Sequence, residues 1–438
     1  MIRNSKLATL TIAGAALISS QAWAAGFEKS NMWGGEETGR AGIAAATSKG
    51  SNALYFNPAG LVTAKRGNSL SVNVSPTSSQ FHGPLNNNND DAISDRSTTF
   101  PFGLTYGHSG EDIGYGVGAF VSGGNSVDYP AVDFATASGY KPQVKTNLSL
   151  VELSAGAAYK VNDDFRIGVG YRVVMVQADF AFTQRTPLGA NHNGVINAKL
   201  TDLKDTQYNG FRAGAQYRVN ESTDIGLTFR SEINFDAKGT AGGQVSSFLT
   251  PAAAANPSLT TSDATVHSTF PIMVALAMAH RLNEDWDFFG QYDWSQYSRV
   301  GEIIIDSNTF ASTGNQARLK TDWRDQHTVR VAAEYKTPWP IRFGYIYSTA
   351  VTNPDYARAS FTAPGPGMAV TLGTGKGFAL GESSEPNFKI DGALEYAFAN
   401  GDVSGKANAG TSSQGSDIRN GSYGASAYSA HLAASYWF

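Results

Sequence analysis

The sequence predicts an all-β protein: a 14-stranded antiparallel transmembrane β-barrel with an N-terminal hatch, or plug, inside the lumen. Three observations carry that prediction. Apolar residues recur with period two over many short segments, long and short connections alternate between those segments, and an export leader precedes them.

The elements follow in chain order. Residues 1–24 read as a signal peptide. Arg3 and Lys6 form its positive start, Leu7 to Ile18 its apolar run, and Ala22-Trp23-Ala24 its small-residue cleavage site. Residues 25–66 are rich in Gly and Ala, carry Asn57-Pro58-Ala59-Gly60-Leu61, and show neither a strand pattern nor a long helix. A compact non-strand segment ahead of a β-domain predicts the hatch.

Residues 67–438 carry the barrel. In Arg166 to Val173, Ile167, Val169, Tyr171 and Val173 lie on one parity, with Arg166, Gly168, Gly170 and Arg172 on the other. Successive strand side chains point to opposite faces, so each segment has one greasy surface and one wet one. Strands are expected near 67–79, 98–108, 113–122, 145–160, 164–183, 205–219, 223–238, 265–282, 286–301, 319–336, 340–350, 386–399, 401–410 and 427–438.

Short turns such as Val161-Asn162-Asp163 alternate with long connections over 80–97, 123–144, 184–204, 239–264, 302–318, 351–385 and 411–426. An outer-membrane barrel, with tight turns at one end and long loops at the other, has this rhythm. Tyr159, Tyr217, His280 and Tyr335 stand just before short turns, with Tyr396 as an echo, where an aromatic girdle would meet the headgroups. The chain ends on the alternating aromatic segment Tyr428 to Phe438, which resembles the C-terminal strand signal of bacterial outer-membrane proteins.

Composition narrows the function. The net charge of −4 leaves no basic block for nucleic acid. Cysteine is absent, which removes thiol catalysis, disulfides and Cys-based metal sites. The seven His residues show no HExxH or close ligand pair, and no GxSxG or catalytic dyad is evident. No cofactor, metal or enzymatic activity is expected. A mean hydropathy of −0.25 suits a barrel in which only alternate residues meet lipid.

Several residues are candidates for function. Gly114, Gly116 and Gly118 share one face of the third strand, which marks a kink, a close backbone approach, or a lumen face that is simply glycine-rich. By parity Arg166, Arg172, Arg212 and Arg330 point inward. They are either a solvated ion-pair lining or candidate anchors for a ligand carboxylate. The connections over 351–385 and 245–259 are apolar enough to form a landing groove, or to pack on each other at the mouth.

Ala25-Gly26-Phe27, Thr38-Gly39-Arg40-Ala41-Gly42 and Asn57-Pro58-Ala59-Gly60-Leu61, with the strand count and Phe438, resemble the FadL/TodX family of outer-membrane transporters for hydrophobic compounds. The resemblance implies capture at the outer loops and lateral release through the barrel wall at an inward-kinked third strand. It puts Ala25, Gly26 and Phe27 in the ligand pocket, Asn57, Pro58 and Ala59 in a hatch motif, and Gly114, Gly116 and Gly118 at the lateral exit. Expected cargo is long-chain fatty acid first and aromatic hydrocarbon second, with a general diffusion porin as the competing class. The remaining partners are outer-membrane lipid and lipopolysaccharide, and the chain is expected to be a monomer.

Overall fold

The structure is a computed structural model and describes residues 33–63, 65–86, 89–189, 192–247, 258–405 and 419–438. The expected signal peptide, and Ala25, Gly26 and Phe27, lie outside the described residues.

Fourteen strands close on themselves. They are β1 (Gly67–Val74, continued by Thr77–Gly83), β2 (Ser97–Thr99 and Phe102–Ser109), β3 (Ile113–Tyr129), β4 (Val144–Lys160) and β5 (Phe165–Gly189). Next come β6 (His192–Asn220), β7 (Thr223–Arg230 and Ile233–Ser247), β8 (Ser258–Phe270 and Met273–Arg281) and β9 (Trp286–Ser295 and Glu302–Ser307). The last are β10 (Gln316–Lys320 and Gln326–Tyr335), β11 (Ile341–Ser348), β12 (Gly367–Phe378), β13 (Phe388–Val403) and β14 (Gly421–Trp437). Neighbours pair antiparallel throughout, and β14 returns to β1 with Ser69 opposite Trp437 and Val74 opposite Leu432. Closure satisfies the backbone groups that an open edge would leave bare in lipid.

The strands form where period two was legible, and burial shows which parity faces which medium. Val169 is 62% exposed and Ile167 and Tyr171 are exposed beside it, while Gly168, Gly170 and Arg172 between them are buried. A water-soluble sheet would invert that arrangement. Tyr159 and Tyr217 stand exposed near the short turns, and Tyr335 packs on Trp286 at 4.9 Å. Tyr396 does not join that girdle. It lies in the middle of β13, 4.8 Å from the Tyr428 ring.

The fourteen strands are partitioned differently from the sequence expectation. The connection placed over 351–385 contains β12, and the two strands placed at 386–399 and 401–410 are mostly one, β13. In β12, Val370 and Leu372 are exposed on the outer face, but glycines at 367, 373, 375 and 377 take most of the inner parity, beside Ala369 and Thr371, and weaken the polar half of the signal. In β13, Asn400-Gly401 resembles a hairpin turn, yet the ladder runs through it, with Asn400 opposite Gly424 and Gly401 opposite Tyr423. Val370, Leu372 and Met368 are therefore wall residues, not part of an apolar outer loop. Strands also extend into the connections expected over 123–144, 184–204, 239–264 and 302–318.

The hatch occupies the lumen at the short-turn end. It holds two short helices, α1 (Gly35–Gly39) and α2 (Ala53–Phe56), and 3₁₀ turns at Gly50–Asn52 and Pro58–Leu61. Its core is Trp33, Leu54, Tyr55, Phe56 and Leu61, packed against Phe120 and Val121 of β3.

Candidate translocation site

Asn57 is the joint of the hatch. Its Nδ2 donates to the carbonyls of Ala45 (2.6 Å), Ala215 (3.0 Å) and Leu227 (3.4 Å), and its Oδ1 accepts from the Ala59 N–H at 3.1 Å. Pro58 opens the turn that Asn57 caps, where its missing N–H costs nothing. One fully buried amide thus ties two halves of the hatch to each other and to β6 and β7.

The hatch fits because the wall beside it lacks side chains. A Cβ on Gly114 would collide with the Leu61 carbonyl, one on Gly168 with Pro58, one on Gly214 with Asn57, and one on Gly226 with Ala45. Two of these glycines are in register, Gly168 opposite Gly214, and a second row runs Gly107, Gly116, Gly156, Gly170 across β2 to β5. Gly116 and Gly118 meet Leu61 and Leu54 of the hatch in the same way. Gly114, Gly116 and Gly118 therefore mark where the hatch leans on β3. The irregularity in that strand comes later, between Val121 and Gly123.

The four arginines read as carboxylate anchors are engaged by protein. Arg166 donates to the Val62 carbonyl at 3.3 Å. Arg172 donates to Glu152 at 2.9 Å and to the Ser231 carbonyl at 3.2 Å. Arg212 donates to the carbonyls of Leu54 (2.8 Å) and Tyr55 (2.7 Å) and to Glu152 (2.5 Å), leaving its buried Nε without a partner. Arg330 reaches Asp293 at 2.6 Å and the Ala41 carbonyl at 2.8 Å. Parity predicted that they face inward. What it could not show is that Arg166, Arg212 and Arg330 meet carbonyls of the hatch.

A second ion network holds α1 to the wall. Arg40 donates to Glu334 at 2.6 Å, Arg342 to Glu334 at 2.7 Å and to Asp391 at 2.8 Å, and Lys389 pairs with Glu36. Burial would raise the Glu36 carboxyl, but Lys389, Arg40 and Arg342 outweigh it and hold the group well below its usual range. Glu37 has no such partner for its Oε2, and burial, reinforced by Glu36, pushes it up to about 7. Beneath this network a polar cavity of about 370 Å³ opens at the short-turn end, lined by Glu36, Arg40, Lys49, Asp224, Arg281 and Lys389 among others.

Above the hatch the lumen turns apolar along the same strand faces. On β4 the inward series reads Glu152, Leu150, Leu148, and on β5 it reads Arg172, Val174, Val176, all buried. Leu200, Phe235, Phe270, Ile305 and Trp323 complete this lining, and Phe361 of the following loop packs into it. At the same level the wall changes. The ladder between β2 and β3 stops at Gly103 opposite Phe120. Beyond it Ser97–Thr99 of β2 pairs with β1, and β3 continues with β4 after its register shift. Contact resumes higher up through Ser97 Oγ to Ser126 Oγ at 2.8 Å and the Asp95 N–H to the Asp128 carbonyl at 2.8 Å.

A closed fourteen-stranded barrel with a lumenal hatch and an apolar zone of packed side chains above it is the architecture of an outer-membrane transport barrel. Residues 15–438 match the family model for outer membrane protein transport protein (OMPP1/FadL/TodX), and the chain belongs to that family. It is 23% identical over 433 residues to the long-chain fatty acid transport protein of Escherichia coli O6:H1, covering 87% of this chain and 93% of that one. Similarity to the putative outer membrane protein NMB0088 of Neisseria meningitidis is 22% over 227 residues, and spans only 47% of that protein's length. Among solved structures, the fold matches a Pseudomonas aeruginosa FadL homologue with TM-score 0.74 at 18% identity, covering 94% of this chain and all of that one. The P. putida toluene transporter TodX matches with TM-score 0.72 at 17% identity, covering 93% and 98%. The chain is thus a member of a family of outer-membrane transport proteins.

Proposed function

We propose that hydrophobic small molecules, long-chain fatty acids or aromatic hydrocarbons as in the relatives' names, enter through the long loops, rest in the apolar zone above the hatch, and leave sideways between β2 and β3. One observation carries this reading: the ladder between those two strands ends at the level where the lumen becomes apolar. A greasy solute in this zone then faces lipid across two strands that share no ladder pair at that level. The hatch below, backed by paired charges, opposes passage straight down, because desolvating a cargo against ion pairs is unfavourable. No energy input is needed, since transfer from water to lipid is downhill for such a solute.

The test pins the two strands together above the gap. The chain has no cysteine, so a Ser97→Cys/Ser126→Cys variant joins two side chains whose hydroxyls already touch. Uptake of labelled oleate and toluene is measured in a transporter-deficient strain. Uptake should fall several-fold when the pair is oxidised and return on reduction, while each single variant behaves as wild type. Undiminished uptake by the oxidised protein would sink lateral release.

A further inference from the structure

The connection between β11 and β12 contains residues 351–365, none of which joins the sheet, yet all of 357–365 is buried. The segment crosses the lumen at the long-loop end. On one side the Arg358 guanidinium donates to the Lys320 carbonyl of β10 at 2.7 Å. On the other, the Tyr129 hydroxyl of β3 donates to the Ala359 carbonyl at 3.2 Å, and the Asn125 amide meets the Phe361 carbonyl at 3.5 Å. β3 and β10 stand seven apart in the ring of fourteen, so the segment is a strap from one wall to the opposite one. Its far end rests on β13, where Ala363 packs on Ala399 and a Cβ on Gly365 would strike the Asn400 carbonyl.

The strap puts Phe361 into the apolar zone above the hatch. The ring stands edge to face with Trp323 at 6.5 Å, and the Arg358 guanidinium lies 5.8 Å from its centre. Space around the ring is filled. The cavity that Phe361 lines with Leu319, Phe180 and Phe182 is about 30 Å³, room for a water or two but not for a hydrocarbon. Cargo resting beside these side chains must therefore displace one of them. Most of them belong to strands held by ladders on both sides, whereas the Phe361 ring hangs from a segment outside the sheet. Among the described residues, the backbone bonds of 352–365 stay inside the strap, Tyr356 to Asn353 and Phe361 to Arg358, so it can shift without breaking a ladder pair. The phenylalanine side chain is also toluene less one hydrogen, which matches the group that leaves to a group that could arrive.

We infer that the Phe361 ring holds, in the resting protein, the place that an aromatic ring or alkyl segment of the cargo takes, and that cargo binds by displacing the ring and its strap. The inference rests on the transport reading and names what the cargo competes with. Competition of this kind lowers the apparent affinity by the fraction of protein in which the strap is open.

The test is equilibrium titration of the full-length protein in detergent micelles with toluene, corrected for partition into protein-free micelles. Phe361→Ala should bind toluene several-fold more tightly than wild type. The competing ring has gone, and an apolar void of its size stays dry and accepts a benzene-sized guest. Phe361→Leu, a milder change for folding, should fall between the two, and heat-dependent gel mobility checks each barrel. The strap is locked by Ala363→Cys/Ala399→Cys, two packed positions in a chain without cysteine. With Phe361 present, the oxidised pair should bind several-fold more weakly than the reduced pair. With Phe361→Ala added, oxidation should make no difference, because a closed strap without its ring excludes nothing. No tightening by either substitution at Phe361, or equal binding by the oxidised and reduced pairs with Phe361 present, overturns the inference. A loss on oxidation that persists without Phe361 overturns it too, since the lock would then act by something other than the ring. Absence of toluene binding in every form overturns the transport reading and this inference with it, whereas wild-type binding that none of these changes alters overturns the strap alone.

Discussion

At the scale of single residues, the hatch depends on Asn57 more than on any apolar contact. Replacing it with Ala removes one donor from each of the Ala45, Ala215 and Leu227 carbonyls and uncaps the turn at Ala59. Leaving buried acceptors unpaired costs about 1–3 kcal/mol each, so a loss of about 3 kcal/mol in hatch docking is expected for Asn57→Ala. Limited proteolysis should then cut the hatch of the variant while the barrel stays intact; equal resistance in variant and wild type would show that the amide is dispensable. Glu37 supplies the pH dependence. Its folded carboxyl titrates at about 7 against an ordinary 4.5, so the folded state binds the proton more tightly. Stability from this group is complete below about pH 4.5, declines as pH rises, and has gone above about pH 7, a loss on the order of 3 kcal/mol. Glu37→Gln should flatten that decline, and protease resistance of the hatch compared at pH 5 and pH 8 reads it. Asn57-Pro58-Ala59 stood out in the sequence as a hatch motif through the family resemblance. The three carbonyls that Asn57 serves were not legible there, because they come from chain segments far apart in sequence.

At the scale of elements, the strands most legible in the sequence are those whose inward residues are polar. In β5, Arg166 and Arg172 alternate with Ile167, Val169 and Tyr171, and the period announces itself. β12 stayed hidden because glycine, neither polar nor apolar, takes most of its inward positions. The same property that hides a strand seats the hatch, since glycine on the inner face lets backbone approach backbone. Gly168 on the inner face can be set against Gly290, which lies on the outer parity of β9 with Phe288 and Tyr292. A Cβ at Gly168 would strike Pro58, while one at Gly290 meets nothing within 4 Å. Gly168→Ala should displace the hatch and expose it to protease, whereas Gly290→Ala should leave it seated. Both variants should keep the wild-type barrel by gel mobility before and after heating. Displacement by neither substitution would mean that the hatch docks through its ion pairs alone. Those pairs, Arg40 with Glu334 and Lys389 with Glu36, were also beyond the sequence, because strand parity shows which way a charge points but not what it meets.

At the scale of the whole molecule, two barriers lie in series along the lumen, and they differ in kind. The lower is the hatch, polar at its short-turn face and clamped by buried charge. The upper is the apolar zone, packed from side chains of β4 to β10 and of Phe361. A diffusion porin needs a continuous wet path, and either barrier alone interrupts it. On the proposed route a hydrophobic solute would enter the upper barrier and be turned aside by the lower, so the two together would sort cargo by polarity. Deleting residues 25–63 should therefore produce a barrel that conducts ions in planar bilayers where the intact protein is nearly closed. Its conductance should stay below that of an unobstructed pore of the same strand number, because the apolar zone remains as a constriction. Making that zone polar as well, with Leu150→Ser and Val174→Thr added to the deletion, should raise the conductance further. Free ion conduction by the intact protein would place it among the diffusion porins, and a deletion variant as closed as the parent would mean that the upper zone, not the hatch, is the gate.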